Sequence, residues 1–143
     1  YEVPVILGPT HALPGTLDSD VDQPFKTPAA QHEAGVLFCL SNEGFWQQRN
    51  LPFQAGTAVA YGLPYEKAIQ ALTLDAATIL GVADRIGSLE VGKDASLIIT
   101  SGDVLDMRTS VVEHAFIDGR KVDLDNKQDE LYRRFQTKYQ RQK

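Results

Sequence analysis

The segment that most constrains this chain is residues 84–99, DRIGSLEVGKDASLII, where the sequence pattern changes from helices to strands. Gly87 and Gly92 supply turn positions, because glycine reaches positive φ without steric cost. The polar residues after Gly92 lead into an apolar run at 95–99, which predicts a short and mostly buried strand. We therefore expect one architecture before this segment and another after it.

Before this segment, two apolar runs at residues 3–7 and 36–40 flank a helix pattern. The first run is continuous and rich in β-branched residues, which is typical of a strand buried on both faces. A helix is predicted over 27–33, with Thr27 as its N-cap and Gly35 after its last turn. Strand, helix and strand in this order indicate a βαβ unit, and hence a parallel pair with a right-handed crossover.

Three short helices are then predicted at 53–61, 64–74 and 76–80, with Asn50 and Asp75 as N-caps. Helices in series of this kind fit the outer layer of an α/β fold.

After the constraining segment the pattern is mainly that of strands. A strand is predicted at 110–117, and Asp118-Gly119 is a strong signal for a two-residue hairpin turn. An amphipathic helix is predicted at 127–139, where apolar residues recur every four positions.

Charge and composition exclude several classes of partner. The net charge is −5, although residues 126–143 carry six Lys/Arg against two Asp/Glu. An acidic chain is unlike a general nucleic-acid binder, and the basic tail is best interpreted as a solvated helix face rather than a membrane or nucleic-acid patch. No apolar run approaches the roughly 18 residues needed to span a bilayer. The single cysteine, Cys39, allows neither a disulfide within the chain nor a cysteine-based zinc site.

Polar residues follow both predicted parallel strands, at 8–11 and 41–44, and parallel α/β folds place their sites at such strand ends. Glu43 is the one ionisable residue of the second group, so it could ligate a metal or act as a general base. A solvated turn acid is the alternative interpretation. His11 follows the first strand and could face the same cavity as Glu43, or it could be a loop histidine without a role.

Other polar residues are weaker candidates. Asp18, Asp20 and Asp22 alternate as in some calcium loops, but the glycine and distal glutamate of a calcium-binding hand are missing, and we expect a solvated loop. His32 lies at a predicted helix end, and His114 lies in a predicted strand, where a structural role is expected.

Five segments resemble one family. LTLDAATILG at 72–81 and DRIGSLEVGKDASLII at 84–99 closely resemble the C-terminal signature of metal-dependent amidohydrolases. DGRKV at 118–122 fits the terminal hairpin of that family. LPFQAG at 51–56 and AYGLP at 60–64 resemble its imidazolonepropionase-like branch.

The resemblance implies an α/β fold that is part of a (β/α)8 TIM barrel, in a family whose barrel carries a small β-sandwich made from both chain ends. This chain would be the C-terminal part, and its opening inside a strand-like run also suggests a piece of a longer protein. Residues 1–86 would form the last two βα units, residues 87–125 the C-terminal strands of the sandwich, and residues 126–143 a terminal helix.

Members of this family bind one or two divalent metal ions, often zinc, through histidines on earlier strands and an aspartate after the eighth strand. The metal lowers the pKa of bound water, and the aspartate passes the proton of this water to the leaving nitrogen. The resemblance therefore implies a hydrolase for non-peptide or dipeptide C–N bonds, with a small-molecule substrate.

This chain departs from the family pattern at the aspartate. Glu43 is the best match, one methylene longer, and a slip of one residue would place Asn42 there instead. We expect Glu43 to be the catalytic residue and, with upstream ligands, a metal ligand. His11 and Asn42 are the candidate substrate-binding residues.

The family's upstream histidine ligands are not in this sequence, so we expect no metal to be bound by this chain alone. We expect it to be inactive alone and to associate with the missing N-terminal barrel segment or with itself. The alternative is a degenerate, non-catalytic subunit or interaction module.

Overall fold

The computed structural model describes residues 3–140. Its first part contains two strands and a layer of helices: β1 (Val5–Leu7), α1 (Gln23–Glu33), β2 (Phe38–Leu40), a 3-10 turn (Gln48–Asn50), α2 (Leu51–Ala60), α3 (Tyr65–Leu72) and α4 (Leu74–Ile79). Its second part contains three strands and a helix: β3 (Leu97–Ser101), β4 (Val111–Ile117), β5 (Arg120–Lys121) and α5 (Lys127–Gln140). None of the helices described is long and apolar enough to cross a membrane.

The predicted βαβ unit is confirmed. β1 and β2 pair in parallel, with Val5 opposite Phe38 and Leu7 opposite Leu40. Gly35 ends α1 at φ 71°, as its position after the last turn predicted.

The burial predicted for the first strand is wrong. Val5 and Leu7 pack against the helical core, but Ile6 between them is 58% exposed. Because side chains alternate along a strand, the face that carries Ile6 is turned away from this core.

Two predicted helix starts are also wrong. α1 begins at Gln23 rather than at Thr27, whose hydroxyl instead donates to the carbonyl of Gln23 one turn earlier. Asp75 lies inside the first turn of α4, and its carboxylate accepts a hydrogen bond from Lys67 instead of capping the helix. Asn50 stands at the N-cap of α2 as predicted, but without a side-chain cap bond. At Thr27 a within-helix bond, and at Asp75 a bond to the preceding helix, replaced the local cap.

A core of small helical side chains surrounds β2. Its buried members are Ala29, Phe38, Leu40, Ala55, Ala58, Leu63, Ala68, Ala71 and Leu105. Alanines let the helices approach closely, and Phe38 fills the centre with no exposed surface.

Leu105, from the loop between β3 and β4, brings the second part of the chain into this core. A Cβ added at Gly56 on α2 would lie 2.4 Å from the Leu105 carbonyl oxygen. Only glycine fits at this approach. Tyr65 on α3 adds a hydrogen bond of 2.8 Å to Asp103 in the same loop.

The segment at 84–99 contains the turn conformations predicted at Gly87 and Gly92 and runs into β3. Gly87 and Gly92 both adopt φ 97°. The amide of Asp94 donates to the Arg85 carbonyl at 2.8 Å, and the two side chains form an ion pair. The segment thereby connects α4 to β3.

The β3–β4–β5 sheet is antiparallel. Asp118 and Gly119 adopt φ 51° and 72°, which confirms the two-residue hairpin turn. The prediction of a mostly buried strand at 95–99 is wrong, because β3 contacts mainly β4 and Ile98 is 52% exposed. The terminal helix α5 is present, and its apolar stripe is also largely exposed.

Candidate active site

The carboxyl ends of β1 and β2 leave the sheet side by side. Leu7 pairs with Leu40, and the amide of Ser41 donates to the Leu7 carbonyl at 2.8 Å. Residues 8–11 and 41–44 therefore begin at the same edge of the sheet.

Gln54 on α2 holds the first of these loops. Its Oε1 atom accepts the amide of Thr10 at 2.7 Å and, more weakly, the amide of His11 at 3.4 Å. Gln54 is only 3% exposed. This role was not predicted from the sequence, where the one signal for it is a single glutamine among small residues in the 53–61 helix pattern.

The imidazole of His11 packs against helices rather than against the second loop. Its Nε2 atom lies 2.7 Å from Thr57 Oγ1 on α2, and the ring meets Phe25 of α1 edge-on at 6.2 Å. His11 also lines a cavity of about 460 Å³ together with Phe53 and Met107.

Asn42 and Glu43 lie in the loop after β2. The side-chain amide of Asn42 donates to the Gln47 carbonyl at 2.7 Å, which closes this loop. Glu43 is exposed, and its carboxylate has no hydrogen-bond or ion-pair partner within residues 3–140. The side chain of His11 bonds to Thr57, and that of Asn42 bonds to Gln47. Neither contact tests the roles predicted for His11, Asn42 and Glu43, which stay predictions.

Two aspartates of the loop that carries Asp18, Asp20 and Asp22 form ion pairs with a lysine. Lys26 Nζ lies 2.8 Å from Asp22 and 3.4 Å from Asp20. The hydrogen bond to Asp22 raises the pKa of the Lys26 ammonium group. Both carboxylates thus neutralise a side chain of α1, in keeping with a solvated loop.

The described residues do not by themselves build a metal site. Nowhere between residues 3 and 140 do three or more His, Cys, Asp or Glu side chains lie close enough together to hold a metal ion. Catalytic zinc needs three protein ligands, and Glu43 supplies at most one of them.

A partly buried ion pair beside β2 was not foreseen from the sequence. Lys67 Nζ lies 2.6 Å from Asp75 Oδ2 and 5.3 Å from the ring centroid of Phe38. Burial raises the pKa of the nearby Cys39 thiol, and the charge of Asp75 adds to this effect. Cys39 is thus a buried free cysteine in an apolar setting, as the apolar run around it suggests.

The model of the amidohydrolase family matches residues 27–122, which is more than half of the chain. The chain belongs to the amidohydrolase family. Its α/β architecture agrees with a solved amidohydrolase from Thermotoga maritima MSB8, which aligns with a TM-score of 0.74 and 36% identity over 85% of this chain.

Relatives with known names point to one branch. The chain is 40% identical over 62 residues to an imidazolonepropionase of Syntrophobacter fumaroxidans, covering 43% of this chain. It is 35% identical over 85 residues to an imidazolonepropionase of Bacteroides thetaiotaomicron, covering 57% of this chain. The resemblance to the imidazolonepropionase-like branch is thus confirmed.

The chain spans only part of these relatives. It covers 15% and 20% of the two imidazolonepropionases and 32% of the Thermotoga protein. These matches support a segment of a hydrolase, and none of them favours the alternative of a non-catalytic module.

Proposed function

We propose that this chain supplies the last two βα units of an amidohydrolase barrel, at residues 1–86. Residues 87–125 would be the C-terminal strands of its β-sandwich, and residues 126–143 its terminal helix. The observation that carries the proposal is the parallel pair, with helices packed on one face and, on the other, Ile6 of β1 exposed beside the buried Cys39 of β2. The inner face of a TIM barrel strand is covered by side chains from the other strands.

In the complete barrel, we expect hydrolysis of a C–N bond in a small molecule, either a non-peptide amide or a dipeptide. Glu43 lies past the carboxyl end of β2, the edge at which barrel enzymes carry out their chemistry. Its exposed carboxylate, without a partner in the described part of the chain, is available to take a proton from attacking water. It would then return this proton to the leaving nitrogen.

His11 and Asn42 are proposed to face the substrate. The loops that carry them are fixed by Gln54 and by the carbonyl of Gln47, so both residues start from defined positions. A divalent metal, which the family resemblance implies, would need its remaining ligands from outside residues 3–140. We therefore propose that the missing barrel segment is the partner required for metal binding, whereas a second copy of this chain would only cover its exposed apolar residues.

The proposal is tested by co-expressing this chain with the polypeptide encoded immediately upstream and assaying amine release from cyclic amides and dipeptides. Glu43→Gln removes the base and should lower kcat by about 10²- to 10⁴-fold. Glu43→Asp, which keeps the carboxylate, should retain activity. Glu33→Gln changes an exposed glutamate on α1 and is the matched control.

Full activity of Glu43→Gln would exclude Glu43 as the base. An upstream polypeptide without an HxH motif and two further histidines would exclude the metal-dependent barrel altogether.

A further inference from the structure

The terminal helix α5 carries an apolar row that is left largely exposed. Leu131, Phe135 and Tyr139 recur every four residues, so they lie above one another on one side of the helix. Phe135 is 48% exposed and Tyr139 is 61% exposed. Within residues 3–140, α5 packs extensively against none of the other helices and strands. An exposed row of this kind is a surface at which proteins bind a partner.

A second row, of charged residues, lies beside the apolar row. Glu130, Arg134 and Lys138 each precede one residue of the apolar row, and all three are exposed. None of them has an ion-pair partner in the described part of the chain. Lys138 Nζ lies 6.0 Å from the ring centroid of Phe135 and 5.8 Å from that of Tyr139, which places this ammonium group at the edge of the apolar row.

The two rows complement a second copy of themselves in one orientation. An antiparallel pair of helices that crosses at Phe135 would place Leu131 opposite Tyr139 of the second copy. It would also place Glu130 opposite Lys138 of the second copy, twice by symmetry. A parallel pair would instead bring Glu130 against Glu130 and Lys138 against Lys138, and like charges that face each other are destabilising. The charges therefore select the antiparallel orientation.

We propose that α5 binds α5 of a second copy of this chain as an antiparallel pair. Arg134 would lie near the two-fold axis, where its long side chain can reach solvent. With 14 residues, α5 is about 21 Å long. The contact is therefore small beside the roughly 1,200 Å² or more that stable complexes bury, and its dissociation constant should be in the micromolar range. The contact uses neither Glu43 nor Ile6, so it is independent of the proposed function.

The proposal is tested by sedimentation velocity over a range of concentrations, with all variants carrying Ile6→Lys to separate this contact from association through β1. Glu130→Lys and Lys138→Glu each set like charges opposite one another, and each should weaken the dimer about tenfold. The double variant Glu130→Lys/Lys138→Glu should restore the dimer. An equimolar mixture of the two single variants should also restore it, because each variant then faces the opposite charge on the other.

Glu33→Lys makes the same change of charge at an exposed glutamate of α1 and should leave the dissociation constant unchanged. Far-UV circular dichroism checks that every variant keeps its helical signal. Absence of a dimer, equal dimerisation of Glu130→Lys and its parent, or no recovery in the double variant and in the mixture would overturn the proposal. A complex with the upstream polypeptide that contains one copy of this chain would also overturn it, because α5 would then be covered by that polypeptide.

Discussion

The two parts of this chain differ in how they bury their apolar residues. Around β2, helices with small side chains enclose Phe38 completely, and eight of the nine buried core residues come from this first part. In the β3–β4–β5 sheet, Ile98, Val111 and Ile117 remain exposed. Most apolar residues around β2 are thus covered by the helices of the first part, whereas the sheet of the second part leaves apolar side chains exposed and contacts the core through the loop that carries Leu105.

This difference indicates which surface of each part is available for contact with other polypeptide. Helices cover one face of β1 and β2; on the other face Cys39 is buried, but its partner Ile6 stays exposed. The sheet of the second part has exposed apolar residues without a covering layer in the described part of the chain. Both observations fit a segment that completes its burial against other polypeptide.

The largest expected effect separates the two parts directly. Phe38→Ala removes the fully buried centre of the first part and should lower the free energy of unfolding by about 4 kcal/mol. Ile98→Ala, at a half-exposed position of β3, should cost about 1 kcal/mol. Both are measured by chemical denaturation. Equal losses would contradict the contrast and would indicate that a partner covers β3.

The partly buried ion pair between Lys67 and Asp75 should give the next largest effect. Lys67→Met leaves the Asp75 carboxylate buried without its partner and should cost about 2 to 3 kcal/mol. The double variant Lys67→Met/Asp75→Leu removes both charges and should recover much of this loss. If the double variant is no more stable than Lys67→Met, the two side chains do not act as a pair.

The attachment of the two parts is tested at Gly56. Gly56→Ala places a Cβ against the Leu105 carbonyl and should cost about 2 kcal/mol, despite the higher helix propensity of alanine. Gly15→Ala, where a Cβ meets no atom within 4 Å, is the control. Increased stability of Gly56→Ala would mean that α2 and the β3–β4 loop are not in close contact.

The smallest effect concerns the start of α5. The hydrogen bond from Arg133 lowers the pKa of Asp125, so the contribution of this pair is complete above the unfolded-state pKa of Asp125. The contribution is lost as the pH falls through the lower, folded-state pKa. The helical circular dichroism signal of the chain, to which α5 contributes, should thus decline slightly below about pH 4. Asp125→Asn should show less of this decline, and Glu113→Gln, at an exposed glutamate of β4, should behave as the parent chain.

Features set by local chemistry could be predicted from the sequence. The βαβ order, the turn at Gly35 and the Asp118-Gly119 hairpin depend on residues close together in the chain, and all three are present. The family could also be identified, because residues 72–81 and 84–99 together carry a specific sequence signature.

Features set by distant contacts could not be predicted. Gln54 accepts a hydrogen bond from the amide of Thr10, 44 positions away. Lys67 on α3 pairs with Asp75 on α4, so this contact depends on how the two helices pack. The exposure of Ile6 and Ile98 depends on which surfaces are available to cover them, and apolar patterns alone cannot show this. For the same reason the sequence placed Glu43 and His11 at one edge but could not show what their side chains contact.

The most direct test of the central claim is sedimentation velocity of this chain over a range of concentrations. If the chain is a barrel segment with open apolar surfaces, it should self-associate, and Ile6→Lys should shift the population toward monomer. Addition of the upstream polypeptide should replace the self-associated species with one defined complex. A monodisperse, well-folded monomer at all concentrations would contradict the account.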